Sequence, residues 1–335
     1  MLAVGPVGLC ATAVALACAM PGSGSAHARL NVHARRSSTP RATVAPANSY
    51  AVGLRVIRFV DTSRTFVFRR KHKRERVPRT LLTEVLYPAV GTPSAIDVPD
   101  APAASADGPF PLVVFGHGFD VTPATYALLL HSWAEAGYVV AAPTFPGENP
   151  AAPGGPDESD IINEPGDISF VISQMLSANA GSGPLSKLID PSLIAVAGHS
   201  DGAEVALAVA YDPQFRDPRV RAAVILSGAE IEPNDNLRFP IGGPPLLATE
   251  GTADKVNLPK YPYHFFKAAL PPKYLLRLLG AGHLPPYTRQ EPELGIVERV
   301  TLAFLDAYLK QTPGAFAQLR IDGNVPGHAS LQADP

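Results

Sequence analysis

The stretch that most limits how this chain can fold is Leu193-Ile194-Ala195-Val196-Ala197-Gly198-His199-Ser200-Asp201-Gly202-Ala203-Glu204. It reads as a buried strand, a sharp turn and the start of a helix. Gly198-His199-Ser200-Asp201-Gly202 fits G-x-S-x-G, in which two glycines let neighbouring backbone pass close to the turn and a strained serine is held clear of a sheet. Ala203, Ala206 and Ala210 keep one face of the following helix small enough to pack tightly under that sheet. Serine between glycines also occurs in plain turns, but the flanking strand and helix favour a nucleophile. The rest of the chain must then supply the sheet and the serine's partners.

The pattern around this element is an alternation of strands and helices. Leu112 to Phe115 is a short buried strand ending in Gly116-His117-Gly118-Phe119. A helix follows with Tyr126, Leu129, Leu130, Trp133 and Ala134 on one face, then the strand Tyr138 to Ala142. A Gly/Pro-rich loop, Phe145 to Pro165, leads to a helix with Ile168, Val171, Ile172 and Met175 in register. Beyond the elbow come strands at Ala222 to Leu226, Leu246 to Thr249 and Tyr274 to Leu279. A last helix runs from Glu293 to Lys310. Such alternation predicts an α/β fold with a mostly parallel sheet and helices on both faces. Ahead of it, Val52 to Val60 and Leu81 to Tyr87 form an expected antiparallel pair, joined by a basic run from Arg69 to Arg76 that reads as a solvated hairpin tip. After Gln311 no periodicity remains, and a loosely packed tail is expected.

The N-terminus reads differently. Met1 to Met20 is uncharged and rich in Ala, Val and Leu, and Ala26-His27-Ala28 offers an A-x-A cleavage site. The segment lacks the positive start usual for a signal peptide, so lipid attachment at Cys18 and a retained anchor stand as alternatives. The expected organisation is a signal peptide at 1–28, a flexible linker at 29–50 and one catalytic domain at 51–335, with the protein secreted or associated with the cell envelope. Both cysteines, Cys10 and Cys18, lie in the leader, so a processed chain has no disulfide and no thiol nucleophile. The formal net charge of -2 gives no indication of a nucleic-acid partner. Arg69, Arg70, Lys71 and Lys73 do leave weak contact with an anionic surface open.

A serine hydroxyl needs a base, and the base needs an orienting group. His27, His33, His72 and His328 fall in leader, linker, tip and tail. His131 and His264 sit in helical patterns, and His117 and His199 belong to the glycine turns they brace. His283 stands on the small-residue loop Gly280-Ala281-Gly282 just past a strand, free to reach Ser200 as base. Asp254 follows the strand Leu246 to Thr249 and is the expected orienting acid, with Glu250 in reserve. The order Ser200, Asp254, His283 is that of an α/β-hydrolase. The N–H groups of Asp201 and Phe119 are the expected oxyanion donors.

With these residues in hand, the chain from about Leu82 to Lys310 resembles the α/β-hydrolases of the dienelactone hydrolase, chlorophyllase and platelet-activating-factor acetylhydrolase-like group, which are related to bacterial polyester hydrolases. His117-Gly118-Phe119, the elbow, Gly251-Thr252-Ala253-Asp254 and Gly280-Ala281-Gly282-His283 carry the likeness. The resemblance implies cofactor-free hydrolysis of carboxylic esters. The chain departs from the polyester hydrolases in having Asp201 where they usually carry methionine, and in lacking their C-terminal disulfide. Ser227 to Pro245, where a cap is often inserted, is short and polar, so no large lid and a preference for short to medium acyl esters are expected. An acyltransferase using the same residues and a non-catalytic surface-binding protein are the rival readings.

Overall fold

A computed structural model describes residues 49–71, 73–229 and 237–335. The expected leader, nearly all of the linker, Cys10, Cys18, His27, His33, His72 and the acidic stretch 230–236 lie outside the described residues. The last two residues of the expected linker are packed: the Tyr50 ring meets Phe110 edge-on at 5.3 Å, and Ser49 Oγ donates to Glu135 at 2.9 Å.

Two long strands, β1 (Ala51–Arg70) and β2 (Lys73–Ala89), form an antiparallel hairpin, and β3 (Val98–Pro99) adds a short edge beside β1. The remaining strands are β4 (Phe110–Gly116), β5 (Val139–Thr144), β6 (Ile189–His199), β7 (Val220–Leu226), β8 (Leu246–Gly251), β9 (Lys273–Leu278) and β10 (Ala329–Asp334). Their order across the sheet is β10-β9-β8-β7-β6-β4-β5-β2-β1-β3, and β5, β4, β6, β7, β8 and β9 all run parallel. The α-helices are α1 (Ala127–Glu135), α2 (Glu164–Ala180), α3 (Asp201–Tyr211), α4 (Lys260–Ala268), α5 (Glu293–Leu305) and α6 (Ala315–Asp322).

Strand alternation divides the core into two layers. Leu112, Val114, Ile194 and Val196 join the layer filled from α2, α3 and α4 by Ile168, Val171, Ala203, Ala206 and Phe265. Val113, Phe115, Ala195 and Ala197 join the opposite layer, filled from α1, α5 and α6 by Leu129, Trp133, Val297, Phe304 and Leu319. Trp133 Nε1 donates to Thr301 Oγ1 at 2.9 Å, which ties α1 to α5 and satisfies the indole inside that layer.

Two expectations are corrected. The chain after Gln311 is not a loose tail: α6 buries Ala315 and Leu319, and β10 pairs antiparallel with β9 from Ala329 to Asp334. The strands of the hairpin are longer than expected: the basic run still lies at its tip, but β1 and β2 extend into it, with Arg69 opposite Arg74 and Arg70 opposite Lys73.

The outer half of the hairpin leaves the sheet. Leu82 pairs with Thr144 at the C-terminal end of β5, so residues 73–81 extend beyond the edge where the parallel strands end. That is also the edge at which Ser200 follows β6, so the basic tip projects on the serine's side. An internal ion cluster holds this half in place. Arg79, only 1% exposed, donates to both Asp160 carboxylate oxygens at 2.9 Å and from Nε to Asp167 at 2.8 Å. From β1, Arg64 reaches Asp167 at 2.7 Å and Asn163 O at 3.0 Å. Gly154, in the Phe145 to Pro165 loop, lies so near the hairpin that an added Cβ would stand 2.7 Å from Arg69 O.

Candidate active site

The elbow is built by backbone packing. An added Cβ at Gly198 would stand 2.0 Å from Gly202 O, and one at Gly202 would stand 2.1 Å from Gly116 O. Any side chain at either position would therefore push β4, β6 and α3 apart. Tight packing on three sides holds Ser200 at φ 56° and ψ -124°, a conformation costly for a residue with a Cβ. The serine N–H is satisfied by Leu226 O at 3.0 Å.

The structure brings the three predicted side chains into one row. His283 Nε2 lies 2.8 Å from Ser200 Oγ, and His283 Nδ1 lies 2.7 Å from Asp254 Oδ2. A carboxylate only accepts, so Nδ1 carries the proton and Nε2 is left to accept from the serine hydroxyl. Asp254 follows β8 and is buried; its other oxygen takes the Val256 N–H at 2.8 Å, which fixes the carboxylate plane. The reserve acid, Glu250, is turned to Arg277 instead, at 2.6 Å, and is not part of the row.

The loop after β4 crosses directly over the serine: an added Cβ on Gly118 would come within 3.1 Å of Ser200 Cβ. That brings Gly118 against the serine, and Phe119, next in the chain, is 40% exposed. His117 braces this loop. Its Nε2 accepts the Phe145 N–H at 2.9 Å, so its Nδ1–H donates to Gly118 O at 2.8 Å, and burial lowers its pKa to about 4. His131 bonds Asp97 at 2.6 Å, and His328 bonds Glu293 at 3.0 Å, both away from the row.

Sequence reasoning missed the carboxyl groups behind the serine. Asp201 opens α3 with Oδ1 3.3 Å from Ser200 Oγ, and its pKa is raised to about 6, by burial first and then by Glu158. Glu148, wholly buried, has its pKa raised well above the usual carboxylate range, by burial first and then by Asp201. Its place in a Gly/Pro-rich loop gave no periodic signal. Among the described residues, no group of three or more His, Cys, Asp or Glu side chains is arranged to hold a metal ion, and no helix is long and apolar enough to cross a membrane.

The Chlorophyllase family matches over residues 85–225, a span from β2 through the elbow to β7. No curated protein matches the chain. Among solved structures, a ferulic acid esterase from Streptomyces cinnamoneus superposes with a TM-score of 0.62 at 22% identity, over 87% of this chain and 98% of that one. The sheet order, the strand-turn-helix at Ser200 and the structural match agree on an α/β-hydrolase fold, whose segment 85–225 is similar to the chlorophyllase family.

Proposed function

We propose that this protein is an exported serine hydrolase that cleaves carboxylic esters through an acyl-enzyme. The observation that carries the reading is the unbroken row from Ser200 through His283 to Asp254, set on a positive-φ elbow at a helix N-terminus. Ser200 Oγ attacks the ester carbonyl carbon while His283 Nε2 takes its proton, and Asp254 stabilises the imidazolium that forms. The tetrahedral oxyanion is held by the N–H groups of Phe119 and Asp201, the second at the positive end of α3. His283 gives its proton to the departing alkoxide. A water then repeats the attack on the acyl-enzyme, releasing the acid and restoring the serine. The chlorophyllase match supports the ester class. The test is labelling with a fluorophosphonate, mapped by mass spectrometry, alongside release of p-nitrophenol from a panel of esters. A label on Ser200 with hydrolysis supports the reading; neither label nor turnover would leave a surface-binding protein. Acyl transfer to an added alcohol in place of hydrolysis would point to the acyltransferase.

Short to medium acyl chains are the expected substrates. The Phe145 to Pro165 loop is tied to the hairpin by Arg79 on Asp160, and its Gly154 lies close to the Arg69 backbone, which argues against a hinged lid. A deep apolar groove gains roughly 0.8 kcal/mol per buried methylene. Across esters from acetate to palmitate, kcat/KM is expected to peak by medium length with no jump at the solubility limit. A maximum at palmitate with interfacial activation would overturn this.

The basic tip is expected to hold the molecule on anionic surfaces with Ser200 facing them. Arg69, Arg70, Lys71 and Lys73 are all exposed, and the sole acid in the run, Glu75, lies 4.0 Å from Arg70. Replacing those four residues with Ser should weaken adsorption to phosphatidylglycerol vesicles at low salt by at least about tenfold. Turnover of a soluble ester should not change. Equal adsorption by both proteins would reduce the tip to a solvated turn.

A further inference from the structure

We infer that Tyr126 and His199 are positioning residues, a hydrogen-bonded strut that fixes the oxyanion loop at Gly118 and Phe119 against the loop carrying His283. The inference rests on the serine-hydrolase reading above, and deepens it by naming what holds the two halves of the machinery at one spacing.

The strut has four parts and one direction. The Gly118 N–H donates to Tyr126 Oη at 3.2 Å. Tyr126 Oη lies 2.8 Å from His199 Nδ1, and His199 Nε2 lies 3.0 Å from the backbone oxygen of His283. A carbonyl only accepts, so His199 carries its proton on Nε2. Burial lowers the ring's pKa to about 3, so it is neutral and its Nδ1 is bare. Tyr126 must then donate to Nδ1 while accepting from Gly118. Every donor points the same way, from the oxyanion loop towards the base loop, and each group between them is satisfied.

The packing around the strut keeps it straight. The His199 ring stands 4.7 Å from the His283 ring and 4.9 Å from Tyr287, whose hydroxyl lies 2.8 Å from both Ser227 Oγ and Thr249 Oγ1. The Tyr126 ring packs on Phe115 at 4.9 Å. His199 is also the residue before the nucleophile. One side chain thus ties together the elbow by covalent bond, the base loop by hydrogen bond and the oxyanion loop through Tyr126. Gly118 has no side chain of its own to anchor it, and the orientation of its peptide sets where the next N–H, that of Phe119, points.

The experiment compares Tyr126→Phe, His199→Leu, His199→Gln and the double variant Tyr126→Phe/His199→Leu, using p-nitrophenyl butyrate kinetics and fluorophosphonate labelling. Tyr126→Phe keeps the ring and removes one atom. Its kcat should fall by about 10- to 100-fold, short of the roughly 10²–10³ for losing an oxyanion donor outright, with KM within about threefold. Glutamine offers one acceptor and one donor, as neutral histidine does, so His199→Gln should recover most of what His199→Leu loses. The double variant should be no slower than His199→Leu, because a strut broken once is already broken. Wild-type kcat in Tyr126→Phe, a His199→Gln as slow as His199→Leu, or losses that multiply in the double variant would each overturn the proposal. If wild type itself takes no label at Ser200, the hydrolase reading falls and the strut with it. If wild type is labelled and the variants match it, the strut alone is wrong.

Discussion

Replacing Ser200 with Ala is expected to lower ester turnover by about 10⁴- to 10⁶-fold while the protein stays folded. The scale follows from what is removed. In the proposed mechanism Oγ is the attacking atom, and at 2.8 Å from His283 Nε2 it is placed to lose its proton as it attacks. Alanine keeps the Cβ, so the positive-φ turn is strained as before and the packing of Gly198 and Gly202 is untouched. His283→Ala should cost about as much, and the double variant no more than either, because base and nucleophile act as one unit. Asp254→Asn should cost less, about 10³- to 10⁴-fold. Its Oδ1 can still take the Val256 N–H, so the loop survives, but an amide facing His283 Nδ1 favours the wrong tautomer. The measurement is kcat/KM on a soluble p-nitrophenyl ester, with circular dichroism to check the fold. Undiminished turnover in Ser200→Ala would remove the serine from the mechanism.

The parts of this site that could be read from the sequence are those whose signal is local. The elbow is five consecutive residues, and the strand before it is apolar without a break. Asp254 and His283 each follow an apolar run by a few small residues, which is what a side chain at a parallel strand's C-terminal edge requires. What escaped notice depends on partners far along the chain. Tyr126 reads as one more apolar residue on a helix face; its hydroxyl gains meaning only from His199, 73 positions away. Glu148 shows no sign of burial until the loop around it is folded. The chain's end is hard to read for a different reason: α6 turns only Ala315 and Leu319 inward, and β10 is a half-exposed edge strand, so neither leaves a strong periodic trace. The hairpin's outer half is hidden by its charges: β1 buries Phe66 and Phe68 there, but the facing run Lys73 to Arg76 is charged throughout.

Arg79 is the residue on which the hairpin's outer half depends, and Arg79→Met should destabilise the protein by about 3 to 5 kcal/mol. Methionine can fill much of the arginine's path, so the loss comes chiefly from what is left behind. Asp160 and Asp167 are both buried, and without Arg79 they lose four charge-assisted hydrogen bonds. Arg64 still reaches Asp167, but nothing equivalent remains for Asp160 beyond Asn163 at 2.8 Å. The expected fall in Tm is roughly 5 to 15 °C for a domain of this size. The deficit should also depend on pH. The Asp167 pKa is raised by burial, and Arg79 is the first of the groups that hold it down. Removing Arg79 lifts the folded-state value further above the unfolded one. A carboxyl raised on folding is best tolerated when protonated, so the variant's deficit should be smallest near pH 4 and grow towards pH 8. Neutralising the abandoned partners supplies the control. Adding Asp160→Asn and Asp167→Asn to Arg79→Met should recover part of the lost stability at pH 8 and little at pH 4, because the penalty lies in unpaired charge more than in lost volume. A variant Arg79→Met that melts within about 2 °C of wild type at pH 8 would mean that solvent reaches the two aspartates and that the clamp on the Phe145 to Pro165 loop lies elsewhere.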